Sequence, residues 1–108
     1  MHEARIIPLD TITAAPEAPG ITSSSQDVAG TRWAVVEYEP GVLREEFCEE
    51  GHSGYVLAGE VTYEFTSAGA PLHVSAGQGF TLPAGAGGAH RGRAGAGGAR
   101  LFLIDREA

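Results

Sequence analysis

The chain has 108 residues, with 14 acidic side chains against 7 basic ones, all of them Arg, and a formal charge of -7. That length suits a single domain of roughly 100–150 residues, and 43% hydrophobic residues supply a core and exclude wholesale disorder. One cysteine excludes an intrachain disulfide framework, and the acidic balance argues against a nucleic-acid partner, which needs clustered positive charge.

Met1–Asp10 lacks the long apolar centre of a signal peptide, and no apolar run approaches the roughly 18–20 residues of a membrane span. The expectation is therefore a cytoplasmic chain with no membrane partner. Thr11 to Gly30 is rich in Thr, Ala, Pro and Ser and reads as irregular chain with one short strand around Ile21, so residues 1–30 form an N-terminal arm. From Thr31 onward, short runs of Val, Tyr, Phe, Leu and Thr alternate with Gly- and Pro-containing turns. This pattern predicts an all-β sandwich or barrel over 31–108 with little or no helix.

Trp33 to Glu39 is the first strand of that domain, with Ala34, Val36 and Tyr38 on one face, and Pro40-Gly41 ends it. Val42 to Cys48 follows as the second. Tyr55–Ala58 and Val61–Thr66 read as a hairpin closed around Gly59-Glu60. Leu72–Ser75, Phe80–Leu82, His90–Arg93 and Arg100–Asp105 complete the set. Ala84-Gly85-Ala86-Gly87-Gly88-Ala89 recurs as Ala94-Gly95-Ala96-Gly97-Gly98-Ala99, which predicts two small-residue turns flanking one short strand. Nucleotide binding is rejected, since neither copy has a phosphate-cradling ending or a following helix.

Metal-capable side chains gather in one neighbourhood. Glu46 and Cys48 lie two apart on a predicted strand and share a face. His52 follows just past the Glu49-Glu50-Gly51 turn, and His90 arrives from a later strand. Thiolate, imidazole and carboxylate are all competent ligands for zinc or another first-row divalent metal. Each residue also has a plainer role open to it. Cys48 could be a small buried hydrophobe, His52 could bond backbone at a turn, and Glu46 could be solvated beside Glu45. His73 is read as a surface residue and His2 as a terminal one. Arg44 shares the Glu46/Cys48 face and could offer its guanidinium to a carboxylate substrate, or else pair at the surface with Glu45 or Glu37. Tyr38, Tyr63, Phe65, Phe80 and Phe102 are core candidates, with Tyr63 taken as the one lining a substrate pocket. A Ser-His-Asp hydrolase lacks its nucleophile elbow.

The stretch Gly51-His52-Ser53-Gly54-Tyr55-Val56-Leu57-Ala58-Gly59-Glu60, then Gly77-Gln78-Gly79-Phe80-Thr81-Leu82-Pro83-Ala84-Gly85 and His90, resembles the two motifs of the cupin superfamily. The resemblance spans about residues 33–105. It implies an antiparallel jelly-roll β-barrel (a double-stranded β-helix) with a central pocket that often holds one metal ion. Registered on Tyr55, the family's two paired histidines correspond to Glu46 and Cys48, and its glutamate to His52. Of the family's ligand types, only His90 is retained, displaced by Ala86-Gly87-Gly88-Ala89. This Cys/His variant is similar to a small single-domain cupin subgroup of mostly undefined activity.

Together these features predict a barrel binding one divalent transition metal, zinc before iron, nickel or manganese. Cys48, His52, His90 and Glu46 are the candidate ligands, and Glu46 doubles as a candidate general base. The predicted activity is metalloenzyme chemistry on a small oxygenated metabolite such as a sugar acid or keto acid. A non-catalytic small-molecule binding or sensing barrel is the alternative, and a barrel serving only assembly is the third reading. The predicted assembly is a homodimer, with the arm free to cover a partner's sheet edge.

Overall fold

The computed structural model describes residues 3–67 and 69–106; His2 lies outside them. The described residues form seven antiparallel strands: β1 (Ala15–Ala18), β2 (Ile21–Val28), β3 (Thr31–Tyr38), β4 (His52–Phe65), β5 (Leu72–Ser75), β6 (Gly79–Leu82) and β7 (His90–Arg106). They run in the order β1-β2-β3-β7-β4-β5, with β6 also paired to β4, and curl into a jelly-roll β-barrel. Among the described residues helix is confined to two short 3-10 turns at Leu9–Thr11 and Ala86–Gly88. Among the described residues no helix is long and apolar enough to cross a membrane.

Alternation decides which side chains face inward. Ala34, Val36 and Tyr38 of β3 sit opposite Leu103, Leu101 and Ala99 of β7, and Leu103 and Leu101 sit opposite Gly54 and Val56 of β4. These rows, with Ile21, Val61, Val74 and Phe80, form the buried core. The opposite face carries Trp33, Val35, Phe102 and Ile104, and Trp33 packs on Phe102 at 5.8 Å between ring centroids. Leu101 is wholly buried between the Val36 and Val56 rows. Leu101→Ala is therefore expected to cost about 2–5 kcal/mol, read as a lower urea midpoint at an unchanged slope.

Three differences from the expected strand pattern lie within the named strands. The stretch expected as irregular chain with one short strand around Ile21 carries two strands, β1 and the longer β2 that starts at Ile21, and Ile21 belongs to the core. Small polar residues fill inward positions such as Ser23 there, so hydrophobicity alone hides the alternation. The expected Tyr55–Thr66 hairpin is one continuous strand, because Gly59 forms a bulge instead of a turn. Likewise β7 runs unbroken through the second small-residue repeat, Ala94–Ala99. Only the first copy of that repeat is a loop. In the second, small residues are needed because strands pass close together: a Cβ on Gly98 would stand 2.8 Å from the Tyr38 carbonyl oxygen.

Candidate metal centre

The expected strand Val42–Cys48 is absent. The segment is held to β7 by two isolated bridges, Leu43 with Arg93 and Cys48 with His90. The second is a close pair, the Cys48 N–H reaching the His90 carbonyl at 2.7 Å and the His90 N–H reaching the Cys48 carbonyl at 2.9 Å. It sets the thiol and the imidazole side by side. His52 opens β4 and comes in from the neighbouring strand. One ligating atom from each of Cys48, His52 and His90 lies within 4.8 Å of the other two.

Glu46 does not join them. A bend at Glu46 breaks the alternation that would have put it on the Cys48 face, and its side chain is exposed, outside the cavity lining. The structure does not bring it, an expected ligand and general base, to the group formed by Cys48, His52 and His90. Arg44 and Tyr63 do line the cavity, about 400 Å³ in volume, together with Val36, Tyr38, Leu101 and Leu103. Arg44 pairs with Glu17 at 3.3 Å, and neither Glu45 nor Glu37 is its partner; Glu37 pairs with Arg100. His73 is exposed and pairs with Glu60 at 3.6 Å, away from the cavity.

Hydrogen bonding settles which nitrogen each histidine offers. His52 Nδ1 lies 2.5 Å from Asp105 Oδ1, so Nδ1–H donates and Nε2 keeps its lone pair toward the Cys48 sulfur, 3.8 Å away. His90 Nδ1 donates to the Gly88 carbonyl at 3.0 Å, which likewise leaves Nε2 as an acceptor. That Nε2 is the one buried side-chain nitrogen or oxygen among the described residues with no hydrogen-bond partner. Burial, aided by the nearby His52 and Arg44, pushes the His90 imidazole below the ordinary histidine pKa, against the Gly88 bond and Asp105. A buried unpaired acceptor costs about 1–3 kcal/mol, and a bound group that uses the lone pair would relieve that cost.

A metal fits that requirement. Sulfur and nitrogen ligands at roughly 2.3 and 2.0–2.1 Å from a tetrahedral ion stand about 3.6 Å apart, close to the 3.8 Å observed. The Glu50 N–H also reaches the Cys48 sulfur at 3.4 Å.

Several residues of the site were not singled out in the sequence. Glu17, Arg32 and Glu50 line the cavity, and Asp105 orients His52. Arg32 and Asp105 carried a legible signal: each continues an inward-facing series, Ala34-Val36-Tyr38 on β3 and Leu101-Leu103 on β7. Glu17 carried none, because a register shift between Pro16 and Ala18 turns it inward. Burial raises the pKa of the Glu17 carboxyl, but hydrogen bonds from Ser23, Arg32 and Arg44 outweigh it and hold the carboxyl below its usual range. Burial pushes the Tyr63 phenol far above its ordinary value, so it stays protonated.

Residues 26–95 match the sequence model of the EutQ-like cupin domain. No curated protein matches the chain. Among solved structures, a protein of unknown function from Rhizobium leguminosarum bv. viciae 3841 superposes with a TM-score of 0.81 at 15% identity, covering 99% of this chain and 100% of that one. An RmlC-like cupin from Shewanella frigidimarina NCIMB 400 gives 0.73 at 15% identity over 99% and 93%. A variant of Bacillus subtilis oxalate decarboxylase gives 0.76 at 17% identity, over 92% of this chain and 28% of that protein.

Proposed function

Because the chain belongs to the EutQ-like cupin family, we propose that its barrel holds one divalent transition-metal ion and presents it to a small anionic molecule. Cys48, His52 and His90 would hold the ion through one sulfur and two Nε2 atoms. The buried, unpartnered Nε2 of His90 is the observation that carries this reading. With three protein ligands a coordination position stays open, the arrangement of catalytic rather than structural sites. One thiolate with two imidazoles favours zinc over iron, nickel or manganese. When bound, the ion would supply Lewis acidity toward a carbonyl or carboxylate oxygen.

The chain's own residues define what such a molecule looks like. Three of the seven arginines (Arg32, Arg44 and Arg91) line this one cavity of an acidic protein. Clustered guanidinium groups draw in and orient a carboxylate. Arg44, steadied by Glu17, is the one proposed to take the carboxylate. The protonated Tyr63 hydroxyl is a donor for a second oxygen, while Val36, Leu101 and Leu103 form an apolar wall. Of the lining carboxylates, Glu17 is tied to two arginines, whereas Glu50 has no ion-pair partner among the described residues. Glu50 is thus proposed for the proton-accepting role, since it lines the cavity and Glu46 does not. A small keto acid or sugar acid suits this combination. Oxalate decarboxylase, one of the structural neighbours, acts on a small dicarboxylate.

Elemental analysis of protein purified without an affinity tag tests the reading. The expected result is one equivalent of metal per chain after incubation with Zn²⁺, and a sulfur-to-metal charge-transfer band when Co²⁺ is used instead. Cys48→Ser is expected to lose that band and at least about tenfold in affinity. Metal well below one equivalent in the wild type overturns the proposal.

A further inference from the structure

The residues that hold His52 form a chain reaching back to the barrel's first strand. Arg32 and Asp105 are direct cross-strand partners on β3 and β7. The same row continues onto β4, where Ser53 opposes Ile104 and His52, one residue earlier, comes level with Asp105. Asp105 uses both oxygens, Oδ1 for His52 at 2.5 Å and Oδ2 toward Arg32 at 3.5 Å. Arg32 turns its other terminal nitrogen to Glu17 at 2.6 Å, and the Glu17 carboxylate reaches Arg44 with its second oxygen. The Asp105 and His52 side chains are 9% and 13% exposed, so that pair is poorly screened, whereas the Arg32 guanidinium is 32% exposed and bridges to it from the partly solvated edge of the site.

We propose that Arg32, braced by Glu17, is a positioning residue for the His52 ligand, acting through Asp105. This inference rests on the reading of Cys48, His52 and His90 as metal ligands. A carboxylate on the far nitrogen of a ligating histidine fixes its tautomer and ring direction and raises its basicity. Asp105 can do so only while its own direction is fixed, since a carboxylate bound on one oxygen alone is free to turn. The forked guanidinium of Arg32 spans two carboxylates on different strands, locking Asp105 from β7 against Glu17 from β1. Arg32 lines the cavity but bonds to Asp105 and Glu17 and to none of Cys48, His52 and His90, so its effect on the ligand set travels through one residue.

Zinc and cobalt affinities, measured by competition with a chromophoric chelator, test this in a double-mutant cycle. Arg32→Met is expected to weaken both metals about tenfold, the lower end for such supporting groups, and to shift the cobalt absorption bands. Arg32→Lys should recover part of the loss, because an ammonium reaches one carboxylate but cannot span two. In an Asp105→Asn background, Arg32→Met should cost less than twofold. An equal loss in both backgrounds, or no loss in either, overturns the role of Arg32. If Arg32→Met does not fold, Arg32→Lys and Glu17→Gln complete the same cycle with an expected loss of about threefold each. A wild type that takes up no metal overturns the metal reading itself, and the role of Arg32 with it. A wild type that binds while the variants bind as tightly removes only the positioning role.

Discussion

His90→Ala is expected to give a folded barrel that has lost its transition metal. Zinc centres in small folded peptides gain about 10–16 kcal/mol from around four ligands, so one ligand is worth roughly 3–4 kcal/mol. That is about 10²–10³ in affinity. The effect has a second readout that needs no chemistry on a substrate. At a free zinc concentration a hundred times the dissociation constant, binding stabilises the folded state by about 2.7 kcal/mol. For a domain of this size each kcal/mol moves the melting temperature by about 4–8 °C, so the wild type should gain about 10–20 °C and His90→Ala almost nothing. Without metal the variant trades a lost side chain against the removal of an unpaired buried nitrogen, so its own melting temperature should fall by less than a comparable core truncation would. A zinc-induced rise of equal size in His90→Ala would remove His90 from the ligand set.

Gly59→Ala is expected to have the largest effect on folding. Gly59 sits at a φ of +72° in the β4 bulge, and a Cβ there would strike the Gly98 carbonyl oxygen. The left-handed backbone alone costs a non-glycine residue about 1–2 kcal/mol. The clash is with backbone, which no side-chain rotation relieves. Together they reach roughly 4–5 kcal/mol, the upper end for single substitutions, in a domain whose whole stability is about 5–15 kcal/mol. The urea midpoint should fall by about 2–4 M, with poor soluble yield. Gly97→Ala is the matched control. It lies one residue from Gly98 in the same repeat, a Cβ there meets nothing within 4 Å, and its expected cost is within about 0.5 kcal/mol. A Gly59→Ala protein as stable as Gly97→Ala would show that β4 and β7 do not pass as closely as described.

The contrast between these two glycines marks where sequence reading stops. Strand positions followed from alternation wherever inward residues were apolar, as at Ala34-Val36-Tyr38 and Leu101-Leu103. Gly-containing stretches read as turns, yet Gly59 and Gly95–Gly98 lie within long strands. A glycine that permits a turn and one that permits close passage look the same until the pairing partner is known. The trio of Cys48, His52 and His90 was legible because those residue types are scarce in this chain. Glu46 was misplaced because a single bend cancels alternation. Arg32 and Asp105 were passed over although they continue the inward series of β3 and β7, because a charged residue at a strand end also suits a solvated face, and Glu17 was hidden by the register shift between Pro16 and Ala18.

The pairing of β4 with β7 joins residues 53–65 to residues 90–104, and this sets an order in time. During synthesis Cys48 and His52 emerge before His90 and Asp105, by roughly 3–10 s at about 5–20 residues per second. Over that interval the thiol has neither its bridge partner nor the strand that closes the barrel around it. Pairings this distant along the chain also form slowly, on a scale of milliseconds to seconds. The nascent chain therefore passes through a stage in which the thiol is open and its bridge partner is not yet made, when it is most exposed to oxidation.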